Sequence, residues 1–332
     1  HFKAMSYTPD GSQTFSVTGI GFTPGLVVLK SRMYAEDWQW NDHVRGTQLS
    51  IQSNDSGAQD AQTNGLLSFD SDGFTVGALS DYSFNGDYLV SYCWKAGDTI
   101  TGNNKGTLSS LTSVNKTAGF SIVSYEGDGV NLRTIGHGLQ KKPDFIIIKN
   151  VDISQSWPIY HKATSNTIAD ATDVVYLNSD IVGTYDNVRG VDGDTFTVSS
   201  WSGNNGSGNT HIAYVWSEIE GYSKFDKYPG NGNVNGPFVH CGFRPAFVLI
   251  KCITATSTSW RVYDDVLTPL NAKDDSLLFN SNIVESTYDQ PFDFLSNGFK
   301  IRSTGSWHNS AEEEYIFAAF ASQPFKYSNA HE

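Results

Sequence analysis

A glycine turn, a proline and an unbroken apolar run closed by a lysine occur three times in this chain. The copies are Gly21-Phe22-Thr23-Pro24-Gly25-Leu26-Val27-Val28-Leu29-Lys30, then Gly138-Leu139 through Pro143-Asp144-Phe145-Ile146-Ile147-Ile148-Lys149, and Gly242-Phe243-Arg244-Pro245-Ala246-Phe247-Val248-Leu249-Ile250-Lys251. A continuous, largely β-branched apolar run bounded by Gly and Pro predicts a strand buried on both faces. Its return at intervals of roughly 100 residues, the commonest domain size, predicts an array of related units. The glycine and proline are expected to set a turn, the run to fill a core, and the lysine to emerge at the strand's end.

Other landmarks keep the same order around each copy. An opening strand (Phe2–Tyr7, Phe120–Tyr125, Tyr222–Tyr228) precedes the run, and a tryptophan (Trp38, Trp157, Trp260) follows it. Phe74-Thr75-Val76, Phe196-Thr197-Val198 and Phe299-Lys300-Ile301 come next, before the closing strands Val90–Trp94, Ile212–Trp216 and Ile316–Phe320. No long segment carries the i, i+3, i+4, i+7 stripe of an amphipathic helix. The prediction is an all-β chain of three tandem antiparallel β-sandwich repeats, jelly-roll or lectin-like, each of about 100 residues. They fall at 1–97, 119–219 and 220–332, with 98–118 as a linker holding one edge strand within Thr107–Val114. Tandem units of this kind predict a rigid, extended array. The polar stretch Gln52–Asn64 is expected as a surface loop.

Composition narrows the partners. The formal net charge is −13 and Lys and Arg are scattered, so no basic stripe can neutralise a phosphate backbone and nucleic acid is not expected. No apolar run approaches the roughly 18–20 residues needed to cross a bilayer, so membrane insertion is not expected. The chain starts at His1 inside the repeat pattern, which suggests a processed chain or the C-terminal part of a longer one. Cys93, Cys241 and Cys252 lack CxxC spacing and are expected as buried free thiols.

Catalytic and metal patterns are weak. The carboxylates at Asp70/Asp72, Asp264/Asp265, Asp274/Asp275 and Glu312–Glu314 are near neighbours on strands or turns, and adjacent strand residues point to opposite faces. Asp70-x-Asp72-Gly73 resembles the start of a calcium loop, but the twelfth position is Asp81 and a strand intervenes, so a hairpin turn is expected. The histidines show no HxH or HExxH spacing, and no GxSxG elbow exists. No catalytic residue, metal site or cofactor is predicted. Aromatic side chains are the better binding candidates, since an exposed indole can stack on a sugar ring while nearby Asn accepts its hydroxyl protons. Trp38, Trp157 and Trp260 stand at equivalent places and are expected in the core. Trp201 and Trp307, beside Asn204, Asn205 and His308 in loop-rich stretches, are the candidate ligand-binding residues.

The motifs taken together resemble a known module. They include Val44-Arg45-Gly46, Ser68-Phe69-Asp70-Ser71-Asp72-Gly73-Phe74, Tyr92-Cys93-Trp94-Lys95-Ala96-Gly97, Gly119–Tyr125, Ile135-Gly136-His137-Gly138-Leu139, Glu220–Phe225, Gly236–Pro245 and Phe294–Lys300. In this set the chain is similar to a three-repeat β module of unknown function found in structural proteins of tailed, especially marine, bacteriophages. The resemblance implies a non-enzymatic virion component, either a fibre or appendage or a capsid decoration, assembled in the host cytoplasm and acting outside it at the virion surface. Its implied partners are other virion proteins and a host cell-surface glycan, and the implied assembly is a homotrimer. A carbohydrate-binding module outside any virus and a polysaccharide-depolymerising tailspike are the alternatives.

Overall fold

A computed structural model describes residues 1–164, 174–183, 188, 190–255 and 257–321. The fold is all-β, built from antiparallel sheets, with single helical turns at Ser80–Ser83 and Ser202–Asn205. One four-strand order appears three times, running opening strand, closing strand, apolar-run strand, then the strand after it. In the first segment these are Phe2–Tyr7, Leu89–Trp94, Leu26–Ser31 and Gln39–Asp42. In the second they are Phe120–Glu126, Thr210–Trp216, Phe145–Asn150 and Pro158–His161, and in the third Ser223–Pro229, Glu314–Ala321, Pro245–Cys252 and Arg261–Asp264. Each such inner sheet is covered by short outer strands, for example Thr14–Thr18, Gly73–Gly77 and Leu66–Asp70 over the first.

The apolar run is buried on both faces because it separates two cores. Val27 and Leu29 pack with Leu66, Phe74 and Val76 of the outer strands. Ile146 and Ile148 pack likewise with Phe196 and Val198, and Val248 and Ile250 with Phe299 and Ile301. The alternate residues, Leu26 and Val28, Phe145 and Ile147, Phe247 and Leu249, all enter one further core shared by the three segments. The period of two along a strand sends odd and even positions to different cores, so no position in the run can be polar.

The shared core closes on itself. At its centre the rings ending the three closing strands meet, with Trp94 5.9 Å from Trp216 and 5.5 Å from Phe320, and Trp216 6.4 Å from Phe320. Around them the equivalent tryptophans hand hydrogen bonds from segment to segment. Trp38 Nε1 donates to Leu278 O at 2.8 Å, Trp157 Nε1 to Asp55 O at 2.9 Å and Trp260 Nε1 to Tyr176 O at 2.8 Å. The main-chain amide of each of these tryptophans donates to an asparagine side chain, Asn54, Asn178 or Asn280. A tyrosine–aspartate bond crosses two seams, Tyr92 to Asp264 at 2.5 Å and Tyr214 to Asp42 at 2.8 Å. At the third seam Ala318 stands where those tyrosines stand, and His161 Nε2 lies 3.1 Å from Phe317 O instead.

Four expectations change. The segments are not an extended array, because the inner faces of their sheets would expose apolar surface unless folded against one another. The lysines do not emerge: Lys30, Lys149 and Lys251 are fully buried. They lie on the shared-core face of their strands, at its rim, and donate to main-chain carbonyls. Lys30 reaches Ser31 O and Tyr34 O, Lys149 reaches Gln155 O and Ser56 O, and Lys251 reaches Cys252 O and Asp180 O. The 98–118 stretch is a hairpin, Ile100–Asn103 and Ser110–Asn115, that extends the second inner sheet beyond Phe120–Glu126. The Gln52–Asn64 stretch is part of a seam, with Ser53 Oγ donating to Phe279 O and Gln59 N to Val151 O. Ser53, Ser56 and Gln59 bond across segments while Gln52, Asn54 and Gln62 bond within the first, and composition alone cannot separate either from exposure to water.

Candidate functional site

The residues singled out from sequence fall into two groups in different segments. Trp201 precedes the helical turn Ser202–Asn205, and its indole lies flat against Gly203, where an added Cβ would come within 2.2 Å of the ring. Asn204 and Asn205 are fully buried. Tyr125 donates to Asn204 O at 2.6 Å, while Asn205 accepts from the Asp128 amide and donates to Val130 O, closing the preceding turn. In the third segment His308 is also fully buried, with Nε2 2.7 Å from Ser303 Oγ. Burial pushes its pKa down to about 3, and the neighbouring Arg261 adds to the effect. Tyr228 donates to His308 O as Tyr125 does to Asn204 O, and Tyr7 does the same to Tyr82 O. Asn204, Asn205 and His308 therefore close the turns before the closing strands and present no atom to a ligand. Trp307 is half-buried under the Arg261 guanidinium, 3.9 Å from its ring centre.

A different group is exposed, at one end of the first segment. The run strand Leu26–Ser31 leaves its sheet into Arg32, Met33 and Tyr34, and the turn Ser80–Ser83 leads through Phe84-Asn85-Gly86 to Tyr88. Met33 is 47% exposed, Tyr34 40%, Phe84 47% and Tyr88 52%, large values for four big apolar side chains in neighbouring loops. The Tyr34 and Phe84 rings meet edge to face at 5.1 Å. Arg32 N donates to Tyr88 O at 2.8 Å, which continues the strand pairing outward and fixes the two loops side by side.

The loops are held from below. Ser31 Oγ accepts from the amides of Met33 and Tyr34, and Lys30 ties Ser31 O to Tyr34 O. Burial lowers the Lys30 pKa to about 8 against the pull of Asp87, Glu36, Asp37 and Asp81. Asp87 is buried alongside, and burial raises its carboxyl above the usual range. The third segment supplies the last wall. Glu285 N donates to Arg32 O, and its carboxylate grips the Arg32 guanidinium through Nε and Nη2, the latter at 2.9 Å. Arg32, Met33, Tyr88 and Glu285 line a cleft of about 330 Å³.

Next to this cleft lies a polar network around Asp81. Gln39 Nε2 donates to Asp81 Oδ2 at 2.6 Å, Ser50 Oγ to Gln39 Oε1 at 2.6 Å, and Tyr82 OH to Gln62 Oε1 at 2.6 Å. Burial, with contact with Glu36 and the charges of Glu36 and Asp37 adding to it, raises the Asp81 carboxyl to about 7. Glu36 and Asp81 are in hydrogen-bond contact, whereas glycosidase carboxylates stand roughly 5–9.5 Å apart. Among the described residues, no three His, Cys, Asp or Glu groups converge as metal ligands. Sequence reasoning missed Met33, Tyr34, Phe84 and Tyr88. The available signal was Asn85-Gly86, a turn dipeptide flanked by aromatics.

No curated protein matches the chain. One family does: residues 1–324 match the model of the domain of unknown function DUF7483, so the match takes in all three segments together with the hairpin between the first two, and the chain belongs to that family.

Proposed function

We propose that the chain is a structural component of a bacteriophage virion, a fibre, appendage or capsid decoration, that works at the particle surface by binding and not by catalysis. The reading rests on the motif resemblance given above and on one structural observation. One face of each of the three inner sheets is spent on a single shared core and the other is covered by outer strands, which leaves a rigid body whose outward surface is made of outer strands and the loops that join them. Such a body holds a binding surface without a cofactor or a moving part. A carbohydrate-binding module outside any virus is the second reading, favoured by the exposed aromatic side chains at Tyr34, Phe84 and Tyr88.

Immunogold electron microscopy of mature particles, with antibody raised against this chain, tests the first reading. Gold at a fixed place on the particle is the expected result. Particles of the producing phage that carry no label while the free protein is labelled would overturn it.

A further inference from the structure

We propose that the cleft between Tyr88 and the Arg32–Glu285 pair is a saccharide subsite that takes a neutral pyranose and discriminates against acidic sugars. Three observations meet there. The first is shape and size: about 330 Å³ is at the lower end of ligand pockets, which run from roughly 300 to 1,000 Å³, so the cleft fits one or two sugar rings and not a long chain. Tyr88, the most exposed aromatic of the group, lines it, an aromatic side chain of the kind that stacks against the axial C–H groups of a sugar.

The second is hydrogen-bonding chemistry. Arg32 spends Nε and Nη2 on Glu285 and Leu267 O, and among the described residues Nη1 has no protein acceptor. The guanidinium and carboxylate lie side by side, donor next to acceptor, which is the pattern presented by two vicinal hydroxyls. The third is charge. Glu36, Asp37, Asp81 and Asp87 surround Lys30 beneath the loops, and Arg32 is already matched by Glu285. An added sugar carboxylate would meet an excess of like charge in a chain of formal net charge −13.

The subsite is also preorganised. Ser31, Lys30 and the Arg32–Tyr88 main-chain bond fix the loops before any ligand arrives, so little ordering entropy is lost on binding. Glu285 comes from the third segment and the other walls from the first, so the cleft exists only when the shared core is closed. The proposal rests on the surface-binding reading for its biological setting, and the chemistry of the cleft stands apart from it.

Saturation-transfer NMR on the whole purified chain tests the subsite, with maltose, cellobiose, lactose and methyl mannoside as neutral probes and galacturonic and glucuronic acid as acidic ones. The expected result is transfer to at least one neutral probe and to neither acid. Tyr88→Ala weakens binding at least about tenfold, Tyr88→Phe keeps it within about threefold, and Glu285→Gln weakens it severalfold. Tyr88 is exposed, so circular dichroism of Tyr88→Ala is expected to match the parent. No transfer to any neutral probe, equal transfer to the acids, or binding that survives Tyr88→Ala would overturn the subsite. None of these results bears on gold labelling of particles, and unlabelled particles would leave sugar binding by the purified chain intact.

Discussion

Lys30, Lys149 and Lys251 occupy one position in three copies and do one job, tying the loop that follows the run strand to the rim of the shared core. Burial lowers each to about pKa 8, so each amine is a poor fit to water and a good fit to several carbonyls. Brief acetylation of the folded protein at mildly alkaline pH, read by mass spectrometry, is expected to modify exposed Lys105 and Lys116 and to leave these three untouched. Equal modification would contradict their burial. Asp264 carries a pH signature. Burial raises its carboxyl to about 6, against the opposing bonds from Tyr92 and the Leu267 and Val266 amides. The folded chain thus holds a proton that the unfolded chain releases near pH 4. The resulting stabilisation is fully present below about pH 4 and fades as pH rises through about 6. Denaturant melts of the parent and Asp264→Asn are expected to show the parent's relative stability growing as pH falls from 7 to 4, and a constant difference would refute the assignment.

At the scale of elements, the hairpin 100–115 separates what a sequence shows from what it hides. Strands with unbroken apolar runs or paired aromatics were legible, because burial on one or two faces leaves a mark in residue type. Ser110–Asn115, where one edge strand was expected within a linker, was not legible as an inner strand of a sheet because Ser110, Thr112, Ser113 and Asn115 are themselves small and polar, and pairing of main-chain groups with Phe120–Tyr125 leaves no mark in residue type. It nevertheless lies between two strands, so proline there removes a ladder bond and strains both pairings. Thr112→Pro, which leaves a ladder acceptor unpaired, is expected to cost about 1–3 kcal/mol in denaturant unfolding, whereas a true linker would tolerate it. The candidate site fared worse in the sequence for a related reason. Asn204, Asn205 and His308 look like loop residues free to bind, but they are fully buried at the turns before the closing strands. Tyr88 and Glu285 meet only through the fold, across almost two hundred positions of chain.

The whole molecule is best described as three sandwiches with their own outer cores fused by a fourth core that belongs to none of them. The pattern of seam bonds fits one closed circuit: the indoles of Trp157 and Trp260 are each satisfied by the segment before, and that of Trp38 by the third. The third seam differs chemistry for chemistry, with His161 facing a carbonyl and Ala318 in place of tyrosine, so the seams are alike in place and distinct in residues. Distinct seams also make distinct surfaces, and the cleft at Tyr88 is formed where the first and third segments meet. Everything proposed about function depends on that closure. Hydrogen exchange read by mass spectrometry on Trp94→Ala, compared with the parent, tests it most directly, because Trp94 belongs to the first segment and touches rings of the other two. A shared core predicts that Leu26–Ser31, Phe145–Asn150 and Pro245–Cys252 all lose protection together, while loss confined to residues 1–97 would mean three independent sandwiches.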